Sequence, residues 1–164
     1  GLEHPSTATT YNNLAGVYRA KGDYPLALEY FQKALAISEK VLGLEHPSTA
    51  TTYNNLAGVY KDQGDYPLAL EYYQKALAIR EKVLGLEHPS TAITYNNLAG
   101  VYEDQGDYPL ALEYFLKSYA ILFKTFNEDH PHLQIVFLNL KTAYFESGNS
   151  SLPFEDWLKE KLEK

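Results

Sequence analysis

A period of 42 residues governs this chain: the His-Pro pair falls at His4, His46, His88 and His130. The block YNNLAGVY starts at Tyr11, Tyr53 and Tyr95, and GDYPLALEY starts at Gly22, Gly64 and Gly106, both at the same spacing. Self-similarity at such a period is the signature of a stacked array, in which no single element buries its apolar face alone. Four repeats fill one domain spanning 1–164, at 1–42, 43–84, 85–126 and 127–164. The first three are near copies and the last is a divergent C-terminal cap. Gly1-Leu2-Glu3-His4 returns as Gly43-Leu44-Glu45-His46, so the chain opens inside a repeated linker, and a longer array is expected around it.

Each repeat reads as two helices. Tyr11, Leu14, Ala15 and Tyr18 follow the i, i+3, i+4, i+7 spacing of one helix face. Pro5 suits the first turn of this helix A, where its missing N–H needs no partner, and Gly22 supplies the left-handed residue that stops it. Asp23 caps helix B, which carries Leu26, Ala27, Tyr30, Phe31, Ala34, Leu35, Ile37, Val41 and Leu42 and ends at Gly43. A two-residue turn packs A and B antiparallel. The histidines before each proline serve as capping groups, and the serines and threonines of HPST are read as capping residues too.

With Tyr11, Leu14, Ala15, Tyr18, Gly22, Ala27, Phe31 and Ala34 at its signature positions, the pattern resembles the tetratricopeptide repeat (TPR). More narrowly, the LNNLA-like blocks, ALAIREKVLG and the following His-Pro resemble the longer repeats of kinesin light chains and related bacterial arrays. The resemblance implies an all-α fold, a right-handed TPR superhelix (α-α solenoid) of four antiparallel helix pairs, with the A helices on the concave face. Glu39-Lys40-Val41-Leu42 continues helix B past the end of the shorter family consensus, and Leu44 is expected to fold back on it as an apolar clasp.

Opposite the tyrosine stripe, helix A presents Thr9, Asn13, Gly16 and Ala20, flanked by Asn12 and Arg19. The resemblance implies a ladder of the second asparagine of each pair, Asn13, Asn55, Asn97 and Asn139, with Asn12, Asn54 and Asn96 beside it. A carboxamide both donates and accepts, so it pairs with both polar groups of an extended peptide backbone. The alternative is that these residues solvate the helix or bridge adjacent A helices. Selectivity is sought where the copies differ. Arg19 becomes Lys61, Glu103 and Phe145, and Ala20 becomes Asp62, Asp104 and Glu146, a basic-to-acidic gradient suited to orienting a bound segment. At the C-terminal end Ile93, Ile135, Leu138 and Phe145 turn the face apolar, which reads as a pocket for a hydrophobic anchor or as burial under the cap. The recurring Gly16, Gly58 and Gly100 suggest close approach of a ligand or a neighbouring helix.

Repeat 4 keeps Asn139, Leu140, Tyr144 and Gly148 in register and shortens its second helix to about Ser151–Glu163. Phe154, Trp157, Leu158 and Leu162 form its apolar stripe, and Glu155, Asp156, Lys159, Glu160, Lys161 and Lys164 clothe the other side, as a terminal repeat requires. Repeat 3 prepares for it: Gln74, Arg80 and Glu81 become Leu116, Leu122 and Phe123, while Tyr119 and Phe126 replace leucines. This gain in apolar surface is read as burial against the cap, or else as a self-association patch.

The net charge of -7 and the lack of any basic stripe argue against nucleic acid. Without cysteine there is no disulfide or thiolate metal site, and no apolar run suggests a membrane span, so a cytoplasmic setting is expected. Asp129, His130 and His132 lack the further ligand and supporting shell of a metal site. No catalytic motif occurs, so neither an enzyme nor a cofactor is expected. What remains is an interaction module or scaffold, holding a protein or peptide along the A helices. It is expected to be monomeric. The alternative is a structural or self-assembling spacer array that associates end to end.

Overall fold

The structure, a computed structural model, describes residues 3–148 and 151–163. Gly1, Leu2 and Lys164, read above as linker and polar cap face, lie outside the described residues. Eight α-helices and no strand occur among these residues. They form two compact units, Gly1–Leu86 and Glu87–Lys164. The first holds α1 (Pro5–Ala20), α2 (Tyr24–Val41), α3 (Pro47–Asp62) and α4 (Tyr66–Val83). The second holds α5 (Pro89–Asp104), α6 (Tyr108–Thr125), α7 (Pro131–Glu146) and α8 (Phe154–Leu162).

The local signals act as the sequence implies. Each A helix begins on proline, and the Nδ1 atoms of His4, His46 and His88 accept the backbone N–H two residues on, from Ser6, Ser48 and Ser90. His130 does the same for His132. The histidine is therefore the cap. Ser and Thr are not: Thr9, Thr51, Thr52 and Thr94 turn their hydroxyls to the carbonyl four residues back. Asp23, Asp65 and Asp107 accept from the N–H three residues later and start the B helices. The A-to-B turn needs a left-handed residue, supplied by Gly22 at φ 77° and its copies.

Small residues bring A and B together. Ala15 and Ala27 cluster with Phe31, Leu56 and Val59, all buried. Ala50 and Ala76 do the same beside Tyr53 and Ile79, and Ala8 and Ala34 beside Ile37. Tyrosines line the edges, with Tyr18 stacked on Tyr30 and Tyr60 on Tyr72 at ring separations of 5.5 Å. In the second unit Ser118 stands in the place of Ala34 and Ala76, and its hydroxyl is satisfied by the Ala92 carbonyl at 2.7 Å.

The last pair is built differently. Lys141 occupies the position of Ala15, and, aligning Pro153 with Pro25, Glu155 occupies that of Ala27. The alanine contact becomes an ion pair of 3.1 Å, with Lys141 Nζ also over the Phe154 ring. Aromatic contacts replace the lost close approach: Tyr144 meets Trp157 at 4.9 Å and Phe154 at 5.4 Å. Phe154 and Leu158 are buried and Trp157 and Leu162 half-buried, as the apolar stripe requires.

Two expectations fail. Leu44 is 62% exposed and its copy Leu86 61%, so neither clasps helix B. The neighbouring acid takes that role, Glu45 pairing with Lys82 as Glu3 does with Lys40, while the Thr49 hydroxyl ties down the Gly43 carbonyl at 2.9 Å. In α6 the added apolar residues are not all covered: Leu122 is buried, but Phe123 is exposed.

Tyr73 sits where the other repeats have Phe31 and Phe115. Burial raises its phenol to about 12, although the Arg19 guanidinium pulls it back. Burial and the Glu39 carboxylate raise the Tyr53 phenol as well. An unfolded tyrosine ionises near pH 10, so above that the unfolded chain loses protons that the folded chain keeps, and stability falls as pH rises. Tyr73→Phe is expected to leave unfolding at pH 7 unchanged within about 0.5 kcal/mol. Urea unfolding between pH 10 and 12 should show a shallower loss of stability in the variant.

Candidate functional site

In the first unit α1 and α3 lie side by side and join through polar side chains. Asn12 donates its Nδ2 to the Thr52 hydroxyl at 2.9 Å, while its Oδ1 is buried with no hydrogen-bond donor. Arg19 donates to both Asp62 carboxylate oxygens, at 2.6 and 3.3 Å. Burial works against the Arg19 charge, but the Asp62 hydrogen bond and its negative charge raise its pKa overall. Asp62 neutralises Arg19 in place, so the first unit does not present that cation alone to a ligand.

Between these contacts lies an open pocket of about 550 Å³. Asn13 and Asn55 face it from the two helices, with Asn12, Gly16, Arg19 and Asp62 completing its polar wall. The structure thus gathers Asn12, Asn13, Asn55 and Arg19 in one place. Asn54 and Lys61 are half-buried on α3. Gly58 is explained by a neighbour: a Cβ added there would fall 2.7 Å from the Arg19 Cζ. Gly16, without a preceding helix, has nothing within 4 Å.

In the second unit the lateral bond changes partners. Val136 replaces the threonine of Thr52 and Thr94, and the Asn96 Oδ1 instead accepts from Asn139 Nδ2 at 3.1 Å. Asn139 is therefore a bridge between A helices here. Asn97 and Glu103 are half-buried on α5, as is Ile93. On α7, Ile135, Leu138 and Phe145 are 52%, 61% and 60% exposed, so the cap does not cover them. Phe145 does touch Tyr144 and Phe154 edge-on and tilted, at 5.5 and 6.4 Å.

Sequence reading missed Asp62 and Thr52 as partners of the A-helix residues, and missed an aromatic pocket at Tyr119, Phe123 and Phe137. The co-substitution of positions 43 residues apart carried the signal for the first: Arg19 is copied with Asp62 one repeat later. Among the described residues no group of three His, Asp or Glu side chains gathers as a metal site, and no helix is long and apolar enough to cross a membrane.

Tandem antiparallel helix pairs, joined side by side through their A helices and carrying an open polar pocket, define a repeat scaffold rather than a catalytic fold. The tetratricopeptide repeat model matches residues 6–82, 48–124 and 90–152, and the chain belongs to that family. Repeats of this family generally mediate protein–protein interaction or scaffolding, and its members are typically non-enzymatic. Among solved structures the chain is similar to BtubC (BKLC) from P. vanneervenii at 27% identity and a TM-score of 0.79, covering 98% of this chain and 61% of that one. It is also similar to two crystal forms of a kinesin light chain-like protein of Podosopora anserina with nearly identical TPR-like repeats. These match at 31% and 32% identity, TM-scores 0.81 and 0.73, over 98% of this chain and 73% and 75% of theirs. No curated protein shows significant similarity to the chain.

Because Gly16 has free space and Gly58 supports Arg19, the two glycines should respond differently. Gly16→Ala is expected to stabilise by about 0.5–1 kcal/mol, the usual gain for alanine inside a helix. Gly58→Ala should gain less, because it displaces a paired guanidinium, and should recover the full gain in an Arg19→Ala background. A double-mutant cycle by urea unfolding measures this; equal gains at both sites in the native background would show that Arg19 does not rest on Gly58.

Proposed function

We propose that the module binds an extended polypeptide segment along its A helices, with the pocket between α1 and α3 engaging the segment's backbone. The buried Asn12 Oδ1 carries this reading: an acceptor without a donor is costly, and a main-chain N–H entering the pocket would satisfy it. Asn13 and Asn55 offer further donors and acceptors beside it, which supports capture of main chain over any one side chain. Asn54, Asn97, Lys61 and Glu103 extend the same face, and Ile93, Ile135, Leu138 and Phe145 supply its apolar end. The charged neighbours would fix direction more than affinity. Pull-down of partners with the native chain and an Asn13→Ala, Asn55→Ala variant tests it. A loss of roughly tenfold in recovery is expected, corresponding to one or two hydrogen bonds, and equal recovery of a specific partner would falsify the backbone role.

One observation favours a second reading, end-to-end self-association. Arg19 pairs with Asp62, but the outermost copies of these positions are Phe145 and Ala20, both uncharged, and Phe145 and Leu138 stand exposed. Two molecules meeting through these faces would bury apolar surface without stranding a charge. Light scattering across a concentration series separates the readings. On this second one the weight-average mass rises with concentration and Phe145→Lys keeps it at the monomer value; a native mass that stays monomeric throughout removes it.

A further inference from the structure

The two ends of the chain's B-to-A junctions differ in a way that opens a pocket. Between α2 and α3 the Tyr53 hydroxyl donates to the Glu39 carboxylate and closes the groove beside Leu35. At the matching positions between α6 and α7 both hydrogen-bonding partners are gone together: Glu39 corresponds to Phe123, Tyr53 to Phe137, and Leu35 to Tyr119. The result is a cavity of about 480 Å³ walled by three rings. Tyr119 lies at its centre, 5.6 Å from the Phe123 ring and 5.8 Å from Phe137. Phe123 remains exposed, so the rings are not consumed by the protein's own packing.

One charged side chain lines this cavity, Glu128, in the place of the exposed leucines Leu44 and Leu86. Its carboxylate acts on the rings: together with burial, its charge holds the Tyr119 phenol above its ordinary value. Aromatic faces beside a lone carboxylate select a flat cation on an apolar stem, because the rings attract the cation and stack on its plane while the acid pairs with its N–H groups.

We propose that the α6–α7 pocket receives an arginine side chain of a bound polypeptide, its stem against Tyr119, Phe123 and Phe137 and its guanidinium paired with Glu128. This rests on the reading that the module holds polypeptide, and it adds a side-chain selectivity that the A-helix asparagines do not provide. The anchor lies apart from the apolar end formed by Ile135 and Phe145, sharing only Leu138 with it. A lysine would lose the planar stacking and the paired N–H geometry.

The test uses the whole chain, isotope-labelled, titrated by NMR with n-butylguanidinium and with its uncharged isostere n-butylurea. The cation should shift amides around residues 119–138 saturably and bind about threefold to tenfold more tightly than the urea. Glu128→Gln should bring the two probes level. The double variant Phe123→Glu, Phe137→Tyr recreates the hydrogen bond of the first junction, and should abolish the shifts while thermal melting shows the fold intact. Equal binding of both probes to the native chain would overturn the proposal in favour of a purely apolar anchor. Shifts that follow acidic side chains along the chain, or persist in the double variant, would reduce it to general charge attraction. No saturable shift overturns it outright. Because the probes contain no peptide backbone, these outcomes are independent of the Asn13 and Asn55 pull-down.

Discussion

The contact between alanines of paired helices is what the rest of the fold depends on. Ala15, Ala27 and Ala34 are wholly buried, and because they carry only a methyl group they let the two backbones approach closely enough for the flanking tyrosines to stack. A larger residue there would push the helices apart. The last pair shows what happens when the constraint is released: Lys141 and Glu155 hold α7 and α8 at ion-pair distance, and Phe154, Tyr144 and Trp157 fill the wider gap. The divergence of the cap follows from that one exchange more than from loss of the repeat.

Neighbouring A helices follow a different rule. They join through Asn12 with Thr52 and Arg19 with Asp62 in the first unit, and through Asn96 with Asn139 in the second. Such polar contacts contribute little stability where they are exposed, but they orient the asparagines and set which atoms remain for a partner. The uneven outcome is functional. Where threonine is present, the first asparagine spends its amide on it and leaves the second one facing the pocket; where valine replaces threonine, the second is drawn into the bridge.

Charge and apolarity are distributed the same way, by pairing across the period. The surface pairs of linker glutamate with helix-B lysine recur as Glu3 with Lys40, Glu45 with Lys82 and Glu87 with Lys124, each 37 residues apart. A residue on the face of one repeat acquires its partner one repeat away, so its freedom to bind anything else is decided outside its own helix.

The sequence alone determined the helices, their caps and the four-fold period, because these depend on spacing of about 3.6 residues, on proline and glycine, and on aspartate placed beside free N–H groups. It also placed the cap and its stripe of Phe154, Trp157, Leu158 and Leu162. Only the tertiary structure decided that Arg19 is neutralised by Asp62, that Gly58 makes room for it, that Asn139 bridges to Asn96, and that Leu44 points to solvent while Glu45 clasps the helix. The same holds for the exchange of Tyr53 and Glu39 for Phe137 and Phe123, which reads as added hydrophobicity until the two positions are seen to face each other. Helix formation is settled by near neighbours in the chain, whereas lateral contacts join residues tens of positions apart, whose meeting depends on how closely the alanines let the helices pack.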